Sequence, residues 1–225
     1  MHDINALWHD SSEKQWRAAL DQYHQYITRS EVAILDKELD PLDLGKIAQL
    51  DAEQWFEFLN NKYFPWKYTA RNRLATTRSS LAKHKNRPNG ISDLNRIKTS
   101  LIAAPVQNIE HCLKLATEIG GLGVAGASGL LSLMYPDYFG TVDEFLVLAL
   151  SEVRGLPEHQ QLQQMAIRIN ASKQPGGSSF SISLTAGVLL IQIMRRKAAE
   201  NNKRFSSSFW TPRRIDKVLW AFGHL

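Results

Sequence analysis

Hydrophobic positions recur at three- and four-residue intervals along almost the whole chain, the period of helices buried on one face. Trp16, Leu20, Tyr23 and Ile27 share one side of a helix expected over 12–28, with Ser11 or Ser12 placed to cap it. Two short helices follow at 31–39 and 42–49, divided by Pro41. A run over 52–61 turns Trp55, Phe56 and Leu59 inward, and Pro65, which has no amide proton, is expected to end it. Helices are also expected over 70–84 and 91–103, either side of the turn Asn86-Arg87-Pro88-Asn89-Gly90, and over 106–119 after Pro105. Beyond these the pattern predicts 124–134, 142–153, 157–171, 181–200 and 212–222, the last with Thr211 as N-cap and Pro212 in first position. Residues 171–179 read as a loop or lid. Neither period-2 strands nor repeats interrupt the series, so the fold class is all-α. The 225 residues read as one unit, divisible at most into 1–104 with the C-terminal helices and a middle section, 105–170.

Charge adds direction to this picture. The formal net charge is +5, but its distribution says more than its total. Residues 62–98 carry ten Lys/Arg against one acid, Asp93, and residues 194–225 carry eight against Glu200 and Asp216. Residues 1–61 reverse the balance, with twelve Asp/Glu against five Lys/Arg. Such segregation suggests a directed basic face. Aromatics and hydroxyls interleave the basic residues in Phe64-Pro65-Trp66-Lys67-Tyr68-Thr69 and Thr76-Thr77-Arg78-Ser79-Ser80, as a nucleic-acid partner requires. Lys67, Arg71, Arg73, Arg78, Arg213 and Arg214 are the candidate contacts to the DNA backbone. Trp66 and Tyr68 are candidates for a base pocket, although a core role fits that aromatic block equally.

Several classes drop out. One cysteine, Cys112, excludes an internal disulfide and a four-cysteine cluster, and its apolar helical setting makes it a core residue. The seven histidines have no metal-ligand spacing, so neither a metal nor a cofactor is expected. The N-terminus has no signal-peptide character and no apolar run is long enough to span a membrane. A cytoplasmic monomer is the expectation, nucleoid-associated if the source is prokaryotic.

The chemistry concentrates in residues 119–145. Gly121-x-Gly123-x-x-Gly126 matches the dinucleotide fingerprint, with Asp143 near the place of its acid. That motif must follow a buried strand within a βαβ repeat, whereas Val106–Ile119 has helical spacing. What remains is helix, Gly-hydrophobic-Gly turn, apolar helix, and then Val142-Asp143 at the start of the next helix. This pattern resembles the helix-hairpin-helix DNA glycosylase superfamily, which includes endonuclease III and adenine glycosylase. Its signature, Leu-Pro-Gly-Val-Gly-x-Lys-Thr-Ala, falls on Ile119–Ala127, and its Val-Asp pair falls on Val142-Asp143 without a gap.

The resemblance implies an all-α glycosylase-like fold in which Gly121, Leu122, Gly123 and Ala125 hold a DNA phosphate. It implies that Asp143 stabilises charge on the sugar, or activates water, as the bond to a flipped, damaged or modified base in duplex DNA breaks. Ala125 stands where strand-cleaving members carry a nucleophilic lysine. The expected activity is therefore a monofunctional DNA N-glycosylase. Two alternatives stay open: a helix-hairpin-helix protein that binds DNA or RNA without catalysis, and a helical interaction module with a basic face. In either, Gly121 and Gly123 form only a tight turn and Asp143 only caps its helix, or Thr141-x-x-Glu144 forms a capping box.

Overall fold

The computed structural model describes residues 3–28, 32–40, 42–177 and 180–224, which form helices and no strands. The first, α1 (Ile4–Asp10), packs Leu7 and Trp8 inward. Helix α2 (Glu13–Thr28) starts at Ser12, whose hydroxyl accepts from the Gln15 amide while the Gln15 side chain accepts from the Ser12 amide. Short helices α3 (Ala33–Leu39) and α4 (Leu44–Gln49) follow. Pro41, expected to divide them, lies outside the described residues, as do Glu31 at the start of the first and Ser178 and Ser179 in the expected loop.

Helix α5 (Ala52–Phe58) overturns one expectation, because Pro65 does not end it. The chain widens into a π-turn over Leu59–Tyr63 and continues as α6 (Phe64–Lys67), with Pro65 in its first turn. In a π-turn each amide reaches back five residues, as Phe64 does to Leu59. Pro65 has no amide to offer Asn60, and Arg78 Nε donates to that carbonyl instead, at 3.0 Å. The proline is tolerated because a side chain from the next helix replaces its missing bond.

That helix, α7 (Arg71–Lys85), leads through the turn at Asn86–Asn89 to α8 (Gly90–Ile102). Helices α9 (Ile109–Thr117) and α10 (Val124–Met134) then form a hairpin, and α10 is buried from Gly126 onward. Next come α11 (Glu144–Ser151), α12 (His159–Ser172), the long α13 (Leu184–Phe205) and α14 (Pro212–Gly223), capped by Thr211 as its sequence predicts. Helix α14 packs against α2, α11 and α13, and α10 against α9 and α13. The buried side chains form one connected cluster from Ile4 to Leu219. Among the described residues no helix is long and apolar enough to cross a membrane.

Candidate functional site

The glycine turn rests on α7. Gly121 adopts φ +95°, and a Cβ there would lie 2.7 Å from the Thr77 carbonyl oxygen, so only glycine fits. One residue earlier, the Gly120 amide donates to His84 Nδ1 at 3.0 Å. Since Nδ1 accepts, the proton of neutral His84 sits on Nε2, which faces Asp93 Oδ2 at 3.0 Å. The Leu122 side chain is buried and its amide is taken by the Ile119 carbonyl, which corrects its expected role as a phosphate donor.

The donors lie one step on. Gly123 is the N-cap of α10 and offers no side chain, so the first-turn amides of Val124, Ala125 and Gly126 have neither an intrahelical acceptor nor a cap. All three residues line a cavity of about 560 Å³. Uncapped amides at the positive end of a helix dipole favour an anion.

Asp143 faces the same space. Of the two caps its sequence allows, Asp143 rather than Thr141 is the N-cap of α11, and its Oδ1 accepts from the Leu146 amide at 3.0 Å. Its Oδ2 lies 4.0 Å from Lys67 Nζ, an ion pair without a hydrogen bond. The segment before it is fastened on both sides. Thr141 donates its amide to Asp216 on α14, and Val142 donates to Ser128 on α10, each at 2.9 Å. The carboxylate is thus tied to its own helix by one oxygen and presents the other to the cavity.

Lys67 departs from its expected place on an outer DNA-contacting face. Its side chain is 11% exposed and runs along the cavity wall. Glycines make room for that wall: a Cβ at Gly129 would lie 3.2 Å from Lys67 Cδ, and one at Gly126 would collide with the Tyr68 hydroxyl. Burial pushes the Lys67 ammonium below its usual range, against the pull of Asp143. Trp66 and Tyr68 line the cavity too, and burial pushes the Tyr68 phenol up to about 12.

Beneath lies an ionic layer that sequence reasoning missed, buried except for Asp40 at its edge. Asp36 Oδ1 accepts from the Tyr23 hydroxyl and Trp66 Nε1, and Lys217 Nζ donates to Asp40 at 2.6 Å. Arg213, expected to be free for phosphates, is buried with its Nη1 2.9 Å from Asp216. Burial acts to lower Arg213, but Asp216, Tyr23, Asp40 and Asp36 hold it above its usual range. Burial raises Asp216, opposed by Arg213. The available signal was charge on an apolar stripe: Arg213, Asp216 and Lys217 interleave with Ile215, Val218 and Leu219.

The other basic candidates divide. Arg71 and Arg73 are exposed at the start of α7, and Arg73 edges the cavity. Arg78 is committed to Asn60, which removes it from the outward set. Arg214 donates to the Phe209 carbonyl and lies 3.9 Å over that ring. Cys112 is buried and unpaired, and the described residues hold no group of three metal-ligating side chains. Compared with family models, curated proteins and solved structures, the chain finds no match.

Proposed function

We propose that the protein binds duplex DNA and releases a damaged or modified base by cleaving its N-glycosidic bond, with Asp143 as the catalytic carboxylate. One observation carries this reading: the free oxygen of Asp143 opens on the same cavity as the uncapped first turn of α10. A phosphate on those amides sets a nucleotide at a fixed distance from a carboxylate, which stabilises positive charge on the sugar as the base leaves. The aromatic walls, Trp66 and Tyr68 with Phe145 and Trp220, suit a base turned out of the stack.

The variant Asp143→Asn tests the assignment without removing the cap, because Asn is as good an N-cap as Asp. Expected is an unchanged melting temperature and a fall of about 10²- to 10⁴-fold in base release, read as alkali-labile sites in DNA carrying varied modified bases. Unchanged release would refute the catalytic role of Asp143. The capping bond itself favours the second reading, a DNA-binding protein without catalysis, in which wild type binds salt-sensitively and releases no base.

A further inference from the structure

We propose that His84 is the positioning residue of the glycine turn, holding the open end of α10 to its phosphate only while Nδ1 of the imidazole is unprotonated. The phosphate rests on the base-excision reading above; the hold on the turn does not.

The feature is particular to this chain. Where the helix-hairpin-helix signature reads Leu-Pro-Gly-Val-Gly, the second position here is Gly120. Proline has no amide proton, so the bond from this turn to α7 exists because a glycine stands there. The Gly120 amide donates to His84 Nδ1 at 3.0 Å, and among the described residues this is the one hydrogen bond between 119–123 and α7. The backbone leaves no slack around it. A Cβ at Gly120 would lie 2.7 Å from both the His84 Cβ and the Ser80 carbonyl oxygen. The same turn ends at Gly123, the N-cap of α10, whose first-turn residues line the cavity.

This bond depends on a lone pair. An imidazolium carries protons on both nitrogens, so its Nδ1–H would face the Gly120 N–H across the same 3.0 Å. Two donors cannot share that gap, and the turn, deprived of its acceptor, draws back from α7. The charged ring is not stranded in its buried place, because Asp93 Oδ2 lies 3.0 Å from Nε2 and pairs with it. Asp93 Oδ1 accepts from Arg96, which also donates to Glu118. Asp93 is the one charged group bonded to the ring among the described residues. On the segment of His84 itself, Lys85 pairs with Glu53, while Lys83 and Arg87 are exposed.

The sign separates this device from ordinary acid effects. Protonating a histidine adds positive charge, which strengthens a protein's hold on DNA. His224, which lines the cavity, acts in that direction. A loss of affinity on acidification therefore points to His84.

Nuclear magnetic resonance of isotope-labelled full-length protein, paired with duplex-binding titrations, tests this between about pH 8 and pH 5, the range in which imidazoles change charge. Phosphodiesters keep their charge throughout, so the probe itself does not titrate. The expected result is a His84 Nδ1 that passes from acceptor to protonated and a Gly120 amide proton that shifts with the same midpoint. Duplex affinity should fall about two- to tenfold over that range, the worth of one hydrogen bond. His84→Asn sets an amide oxygen near the place of Nδ1 and takes up no proton. Its affinity should match wild type at the alkaline end within about twofold and show no fall. His84→Leu removes the acceptor and should bind at the alkaline end as wild type does at the acid end; if it does not fold, the wild-type titration still decides. A Gly120 amide indifferent to the ring, a ring unprotonated at the acid end, a level wild-type affinity, or an Asn variant with the wild-type fall overturns the inference and leaves the base-excision reading standing. If no duplex is bound at any pH, the base-excision reading fails, and the two resonances alone decide for or against His84.

Discussion

Single residues in the glycine turn separate what folding needs from what a ligand needs. Gly121→Ala places a Cβ against the Thr77 carbonyl at φ +95°, and a loss of at least about 1–2 kcal/mol is expected in urea unfolding. Gly123 is the contrast, with φ −90° and nothing within 4 Å of the point where a Cβ would stand. A serine there caps the open amides, so Gly123→Ser should raise stability by a few tenths of a kcal/mol, about the usual margin of Ser over Gly at an N-cap. The same hydroxyl competes with an incoming phosphate. Weaker duplex binding with equal or better stability is therefore expected, and tighter binding would remove the anion role of this helix end. Lys67→Met follows the same logic, because an apolar side chain of similar length avoids desolvating an ammonium that makes no hydrogen bond. Its urea midpoint should equal or exceed that of wild type.

Elements were more legible than the contacts between them. The apolar period predicts α10 to the residue, and Thr211-Pro212 marks the start of α14, because both signals are local. Pro65 misled for a reason outside its own helix: the bond it forgoes is replaced by Arg78, which no reading of 52–65 reveals. Replacing Arg78 with Ala should therefore lower stability by about 1 kcal/mol, the typical worth of one hydrogen bond, and Lys should restore little of it. The candidate site was half legible. Asp143 and the glycines announce themselves by spacing, whereas Lys67 reads as one more member of a basic run. The small face of Gly129, against which its stem packs, makes room for it inside.

Across the whole molecule, the charge segregation visible along the chain turns out to be partly internal. Acids of the first sixty residues meet the basic segments in Lys62–Glu38, Lys85–Glu53, Lys217–Asp40 and Arg213–Asp36. Arg71 and Arg73 at the start of α7, and Lys83 and Arg87 at and beyond its other end, remain exposed without an ion pair among the described residues. With about four phosphate contacts, the log–log salt dependence of duplex affinity should have a slope of about −3 to −4, far shallower than the basic residues of 62–98 taken together suggest. Arg71→Ala with Arg73→Ala should flatten it by about 2. Stability should also peak on the alkaline side. Burial lowers Lys67, Lys98, Lys197 and Lys217, so the unfolded chain, whose lysines titrate near 10.5, binds more protons and stability rises as pH approaches that value. Burial raises Tyr23, Tyr63 and Tyr68, so ionisation of unfolded tyrosines above about 10.0 reverses the trend. Urea midpoints that rise as pH approaches about 10 and fall above it would bear this out, and a monotonic fall would contradict it.

The π-turn at Leu59–Tyr63 holds one residue that an α-helix does not need. A π-turn of five residues advances and turns the chain about as much as four residues of α-helix, so the surplus is absorbed where it arises. Deleting Asn61 would close the helix and leave Trp66 and Lys67 in register beside the cavity. A lineage that lost that single codon would keep the site and its signature together, so a gap at that point in an alignment says nothing against either.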